Sequence, residues 1–306
     1  MPDEAERGGG PGRVGFIGLG LMGQPMAHHL LRAAAKHGGE LWVHSRRQSS
    51  AADLVDSGAH WADTPRELAG RCDVVISMLP DLPEVAELLD GDDGLLAGLA
   101  GPTVLVISST SAPTGVRELA DDLTRRTDGL LTVVDAPVSG GVEGAAAGTL
   151  SIMVGGGRAD VDRVMPWLGA MGTAVHLGPV GAGEVAKACN QLIVAATTVA
   201  LGEASVIAER AGLDLAKLLD LLGGGYAGSR ILEVKKAKLI AHEYPPAGRA
   251  RFLRKDLGFA AAEAERSGVA AQVLPVLHEV FDAMVEGGLG DHDSISVQKY
   301  ILDRSL

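Results

Sequence analysis

The chain has 306 residues, 46% of them hydrophobic and 22% charged, with a formal net charge of -12. That describes a globular protein long enough for two domains; its acidity argues against nucleic acid as a partner, since phosphate binding needs clustered Lys and Arg, but allows a small anionic substrate in a locally positive pocket. Two cysteines, Cys72 and Cys189, far apart and in apolar stretches, predict no disulfide framework and a reducing cytoplasm, and nine scattered histidines without ligand spacing predict no metal.

Residues 1–12, MPDEAERGGGPG, are polar and glycine-rich and predict a disordered tail, with no signal peptide. Val14–Ile17 reads as a strand. It runs into Gly18-Leu19-Gly20-Leu21-Met22-Gly23 and then a helical pattern over Met26–Ala35. That order predicts a dinucleotide site. Gly18 makes the tight turn, Gly20 lets backbone approach a pyrophosphate, and Gly23 lets helix pack on strand. The helix N-terminus offers N–H groups and a partial positive charge to phosphates. The plain alternative is an ordinary glycine-rich turn.

The second strand, Leu41–Val43, leads into His44-Ser45-Arg46-Arg47. NAD sites usually carry a carboxylate at this strand end, for the ribose 2′-hydroxyl; none stands here. Ser45 can donate to a 2′-phosphate, and Arg46 can pair with it or stack over that end. NADP is therefore expected in preference to NAD, against the alternative of two solvated surface arginines. Val74–Ser77 predicts another strand, with Met78-Leu79-Pro80 as a loop over the cofactor, because ligands bind at strand carboxyl ends near the switch point.

Helical patterns at Pro83–Leu89 and Thr114–Arg126 alternate with strands at Val104–Ile107, Leu131–Asp135, Ile152–Val154 and Ala174–His176. Such alternation predicts a parallel doubly wound sheet. With 3% aromatic residues, its core must be Ala, Val, Leu and Ile. After Leu131–Asp135 comes Pro137-Val138-Ser139-Gly140-Gly141. Ser139 offers a hydroxyl, and the two glycines offer unobstructed backbone N–H groups.

After Gly183 the pattern changes. Glu184–Arg210 is one long helical stretch with almost no polar face between Gln191 and Leu201, and a helix apolar all round is buried, here between two domains or two subunits. Its apolar run, Leu192–Leu201, is too short to span a bilayer, so no membrane is expected. Helices follow at Leu215–Leu222, Ile231–Ile240, Arg254–Arg266, Val273–Glu286 and Ser294–Leu302, with no strand among them. The fold class is α/β: a Rossmann-type doubly wound parallel sheet over residues 13–180, then an all-α C-terminal domain over 181–306.

Lys187 opens the apolar part of the long helix, and Asn190, three residues on, shares its face. Near a bound dinucleotide a lysine can supply a proton or stabilise developing negative charge. A lone lysine in such a helix is more often solvated or snorkelling, and spacing leaves the choice open.

Four blocks, GFIGLGLMGQPMA, DAPVSGGVEGAAAGTLSIMVGG, GAGEVAKACNQLIVA and RKDLGFA, resemble the β-hydroxyacid dehydrogenases in family order over nearly the whole chain. Gly223–Ser229, GGGYAGS, with Pro245 and the Lys255-Asp256 block, looks most like the tartronate semialdehyde (2-hydroxy-3-oxopropionate) reductase branch. 3-Hydroxyisobutyrate dehydrogenase and the glyoxylate/succinic semialdehyde reductases are the alternatives within the family. The resemblance implies that Ser139, Gly140 and Gly141 hold the substrate carboxylate, that Lys187 is the catalytic lysine, and that Asn190 binds substrate. It implies a place near the cofactor for Lys255, and contact with the nicotinamide half for Thr110 in SSTSAP. It also implies a homodimer or homotetramer, with the helical domain serving substrate and oligomer contacts. One departure is Ile107, where the family often has Asp; it alters a strand end and is not expected to remove activity. Tyr226, Ser229 and Arg230 are candidates for lining the pocket, against core packing or interface.

Two relatives and one different class compete. 6-Phosphogluconate dehydrogenase needs a longer helical half and a His beside the asparagine, where this chain reads Lys187-Ala188-Cys189-Asn190. Imine reductases usually carry Asp or Tyr in place of Lys187. A non-catalytic NADP-binding scaffold would be expected to lack that lysine.

Overall fold

The computed structural model describes residues 12–305, so the amino-terminal tail expected over 1–12 lies outside the described residues except for Gly12. The chain divides into two compact units, one ending at Lys187 and one starting at Ala188.

The first unit is built on nine strands: β1 (Arg13–Ile17), β2 (Glu40–His44), β3 (His60–Trp61), β4 (Val74–Ser77), β5 (Thr103–Ile107), β6 (Leu131–Asp135), β7 (Val138–Ser139), β8 (Leu150–Gly155) and β9 (Gly172–Gly178). The sheet order begins β3-β2-β1-β4-β5-β6, and these six are parallel. Chain direction across the sheet reverses at β1, which pairs with both β2 and β4. The switch point therefore lies at the end of β1.

Alternate side chains of the central strands feed two cores, one on each face. Val14, Phe16, Val74, Ile76, Val104 and Val106 join the helix residues Met26 and Leu30. Ile17, Val75, Leu105, Ile107 and Val133 join Val116 and Leu123 of the helix Pro113–Arg126. Both faces are covered, so the strands read as continuous apolar runs with no polar alternation.

The parallel expectation holds for six strands and fails at the far edge. β8 runs antiparallel to β6 and β7. The chain returns from Ser139 to Leu150 through the short helix Gly141–Ala147, too little chain for the crossover that a parallel return requires. From β8 the longer passage through the helix Arg158–Gly169 makes that crossover, and β9 lies parallel to β8. β3 and β7, two residues each, were absent from the sequence expectation; such short strands show no periodicity.

The second unit is helical: the remainder of the long helix Ala182–Arg210, then Leu215–Gly223, Arg230–Ala241, Ala250–Arg266, Leu274–Met284 and Val297–Arg304. Ala188 and Ala195 pack with Leu253, Leu257, Leu277 and Phe281, while Leu201 and Ala208 pack with Leu215, Leu219, Leu232 and Leu239. Within a single chain the long helix is buried over only part of its circumference. Ile193 and Ile207 stay 65% and 69% exposed, because the two clusters cover only part of its circumference. Among the described residues it is also the one helix long and apolar enough to cross a membrane by length and composition, although the uninterrupted run Leu192–Leu201 is not.

Candidate functional site

β1 ends in a turn that only glycines allow. Gly18 has φ +100°, and a Cβ there would lie 2.4 Å from the Met78 carbonyl oxygen. A Cβ at Gly23 would lie 1.9 Å from the carbonyl oxygen of Gly18. Gly20, between them, has nothing within 4 Å of the corresponding point. Two glycines thus close the turn, and the third leaves a cradle open above it. The helix Gly23–His37 starts with no side-chain cap and no acid in its first turn, so no carboxylate of its own repels an anion there. These features fit a dinucleotide diphosphate. Leu19 is buried, Met22 half-buried and Leu21 exposed.

Ser45 and Arg46 follow β2, the first half-buried and the second exposed. His44 is held in place: its Nδ1 lies 3.0 Å from the Ala62 carbonyl, and its ring stacks on Trp61. Met78 and Leu79 leave β4 half-buried on opposite faces of the sheet, and Pro80 is exposed. Thr110 lies in the loop after β5, where Ser108 N–H donates to the Ser77 carbonyl at 2.9 Å. Ser139 is half-buried at the end of β7, and Gly140 (φ +137°) and Gly141 (φ +66°) follow it in conformations that favour glycine. The remainder of that stretch is the helix Gly141–Ala147, closed by Gly148 in the left-handed region. His29 fills the space over Gly148, and its Nε2 lies 3.1 Å from the Ala146 carbonyl.

Glycine loop, Ser45-Arg46, Met78–Pro80, Thr110 and Ser139–Gly141 all follow carboxyl ends of strands in one sheet, at the edge where such folds bind ligands. Lys187 belongs to the same unit and is 6% exposed. Its helix is fixed to that edge by Asp135, the last residue of β6. Asp135 Oδ1 accepts from Gly181 N–H at 2.7 Å and Oδ2 from Glu184 N–H at 2.9 Å. No solvent reaches this carboxylate, and burial pushes its pKa up to about 6 against the opposing pull of the backbone N–H donors. Glycines make the room. A Cβ at Gly155 would lie 2.5 Å from Asp135 Oδ1, and one at Gly183 2.8 Å from Oδ2.

Asn190 and Lys255 belong to the second unit. Asn190 Nδ2 donates to Gln191 Oε1 at 2.8 Å, and Gln191 Nε2 donates to Asp256 Oδ2 at 2.6 Å. The side-chain relay thus ends on the neighbour of Lys255, whose Nζ sits 5.2 Å from the Phe259 ring centroid. Gln191, Asp256, Asp135 and Glu184 were not singled out from sequence; an acid closing a strand ahead of a later Gly-Ala-Gly helix start is the signal available for Asp135. Tyr226 is fully exposed, Ser229 Oγ caps the helix Arg230–Ala241 by accepting from Leu232 N–H at 3.1 Å, and Arg230 pairs with Glu233.

Residues 13–181 match the model for the NAD-binding domain of 6-phosphogluconate dehydrogenase. Residues 181–301 match the model described as NAD-binding of NADP-dependent 3-hydroxyisobutyrate dehydrogenase. A 2-hydroxy-3-oxopropionate reductase from Escherichia coli (strain K12) is 37% identical, over 90% of this chain and 92% of its own. The chain belongs to the β-hydroxyacid dehydrogenase family. An NAD-dependent L-serine dehydrogenase from Pseudomonas aeruginosa is also 37% identical, over 94% of this chain and 97% of its own. The crystal structure of a 3-hydroxyisobutyrate dehydrogenase from Salmonella typhimurium superposes with a TM-score of 0.83 at 28% identity, covering 94% of this chain and 99% of that one. This β-hydroxyacid dehydrogenase is accordingly an oxidoreductase that uses a nicotinamide cofactor, with an α/β Rossmann-type sheet followed by a helical domain.

Proposed function

We propose that this enzyme uses NADP(H) to interconvert a small carboxylate-bearing semialdehyde and its β-hydroxy acid, tartronate semialdehyde being the substrate. The buried Lys187, on a helix pinned to the end of β6 four residues before Ser139, is the observation that carries the reading. The likeness of Gly223–Ser229 to the tartronate semialdehyde reductases, and the reductase from Escherichia coli, support the substrate. The L-serine dehydrogenase and 3-hydroxyisobutyrate dehydrogenase relatives support the same chemical class, a three- or four-carbon acid oxidised at the β-hydroxyl.

A nicotinamide cofactor held by the glycine loop and the neighbouring strand ends would supply the hydride chemistry of this interconversion. Lys187 delivers a proton to the carbonyl oxygen in reduction and removes it in oxidation. Ser139 Oγ and the N–H groups of Gly140 and Gly141 receive the substrate carboxylate, and Asn190 hydrogen-bonds the substrate. Gly18, Leu19, Gly20, Leu21, Met22 and Gly23 hold the diphosphate, Ser45 and Arg46 the 2′-phosphate, and Met78, Leu79, Pro80, Thr110 and Lys255 the remainder of the cofactor.

With tartronate semialdehyde, kcat/KM is expected to be at least about 10-fold higher with NADPH than with NADH, because a hydroxyl and a guanidinium stand where NAD sites have a carboxylate. Equal or better efficiency with NADH would falsify this cofactor assignment. The carboxylate requirement makes a separate prediction. Glycolaldehyde, which lacks the carboxylate, should be reduced with kcat/KM lower by about 100-fold, the loss of charge-assisted hydrogen bonds to Ser139–Gly141. Comparable turnover of the two aldehydes overturns it.

Assembly as a homodimer or homotetramer is part of the same proposal. Its support is the stripe of Cys189, Ile193, Ala200 and Ile207, exposed along the long helix. A cytoplasmic setting is supported by Cys72 and Cys189, neither of them in a disulfide.

A further inference from the structure

Glu184 is a carboxylate at 1% exposure, in the first turn of the long helix. A side chain of that kind is removed from water only at considerable expense in desolvation, and its surroundings show what it holds. Its Oε2 accepts from Ser111 N–H at 3.1 Å, across 73 residues of chain. Its own N–H donates to Asp135 Oδ2 at 2.9 Å. One residue therefore carries two contacts to two neighbouring strand ends: through its backbone to the end of β6, and through its side chain to the loop after β5. The first contact fixes where the helix begins. The second fixes the rotation of the helix about its axis, because a side chain reaches a given loop from only one angular position.

Lys187 lies three residues further along the helix, on the same face. Thr110 immediately precedes Ser111 in the loop. We propose that Glu184 is a positioning residue of the reaction, tying the loop that carries Thr110 to the helix turn that carries Lys187 so that the two keep one relative placement. This rests on the assignment of Lys187 as proton donor. The lysine stem is long and flexible. Proton transfer requires its nitrogen within hydrogen-bond reach of the reacting oxygen, so the angular setting of its helix turn decides how often that geometry is met. Capping of the helix alone does not explain the residue, since Asp135 already takes the backbone donors of Gly181 and Glu184.

The test compares Glu184→Ala with Glu184→Gln in the full chain, using NADPH and tartronate semialdehyde, with cofactor affinity measured by titration and folding by thermal melting. Glu184→Ala is expected to lower kcat by about 10–100-fold, the range set by a misplacement of roughly 1 Å, with KM and cofactor affinity changed less than about 3-fold. Glu184→Gln keeps an oxygen that accepts from Ser111 N–H, and most of the lost kcat should return. Where the alanine variant does not fold, Glu184→Met replaces it, filling the volume without the acceptor and showing the same split. An unchanged kcat in the variants lacking the acceptor overturns the proposal. So does a parallel fall of kcat, cofactor affinity and melting temperature in all of them, which marks a purely structural residue. Lys187→Ala, run alongside, separates the premises: if it stays active, the proton-donor assignment fails. If it is inactive while the Glu184 variants behave as wild type, only the positioning role falls.

Discussion

Lys187→Ala is expected to lower kcat for semialdehyde reduction by about 10²–10⁴-fold, the usual contribution of a positioned general acid. The argument begins with burial. At 6% exposure this lysine is not the solvated side chain that a helix-surface lysine ordinarily is. It lies a turn beyond a helix start that Asp135 ties to the carboxyl end of β6. Hydride arrival at the carbonyl carbon leaves charge on the oxygen, and an ammonium there both stabilises that charge and neutralises it by proton transfer. The two contributions separate by substitution. Lys187→Arg keeps the positive charge but has no proton to give at working pH, because a guanidinium stays protonated above about pH 12. It should therefore recover only a small part of kcat. KM should move less than kcat in both variants, since the interaction removed is strongest in the transition state. Arginine restoring nearly full turnover would reduce Lys187 to an electrostatic role, and alanine retaining turnover would remove it from the mechanism.

The requirements legible in the sequence are those met within a few residues. The glycine loop is one: Gly18 needs a positive φ, and Gly23 must lie flat on Gly18, and both constraints act inside a six-residue window. Strands β1, β4 and β5 are another, since burial on both faces writes itself as a near-continuous apolar run. Relations across long stretches of chain left no such mark. An apolar strand looks the same whichever way it runs, so the antiparallel return of β8 stayed hidden, its cause being the shortness of the preceding connection. Composition showed the long helix to be apolar without showing which side would lack a covering neighbour, as at Ile193 and Ile207. The same holds for the site. Lys187 and Ser139 come from recognisable blocks, whereas the Gln191–Asp256 hydrogen bond joins residues 65 positions apart and Asp135 meets Gly181 and Glu184 across 46 and 49.

Asp135 carries the second large effect. Asp135→Ala leaves the N–H groups of Gly181 and Glu184 buried without their acceptor, at about 1–3 kcal/mol each, so a loss of about 2–6 kcal/mol is expected. The carboxylate itself gives stability a dependence on pH whose sign is set by its shift. Burial raises its folded pKa to about 6, above the 3.8 of an ordinary Asp, so between those values the folded chain binds more protons than the unfolded one. Stability from this group is thus fully present below pH 3.8 and is lost as pH rises through about 6. From pH 7.5 down to pH 5 it contributes about 1.4 kcal/mol in favour of folding. Asp135→Asn does not titrate, and all other groups are common to both proteins, so the difference between wild type and Asn variant isolates the term. The three tryptophans, Trp42, Trp61 and Trp167, all lie in the first unit, and urea unfolding followed by their fluorescence reads the part of the chain that Asp135 holds. Relative to Asp135→Asn, the wild type should gain stability on going from pH 7.5 to pH 5. Parallel curves for the two proteins would mean that the carboxylate keeps an ordinary pKa. It would then be held in charged form by the N–H groups of the lysine helix strongly enough to offset its burial completely.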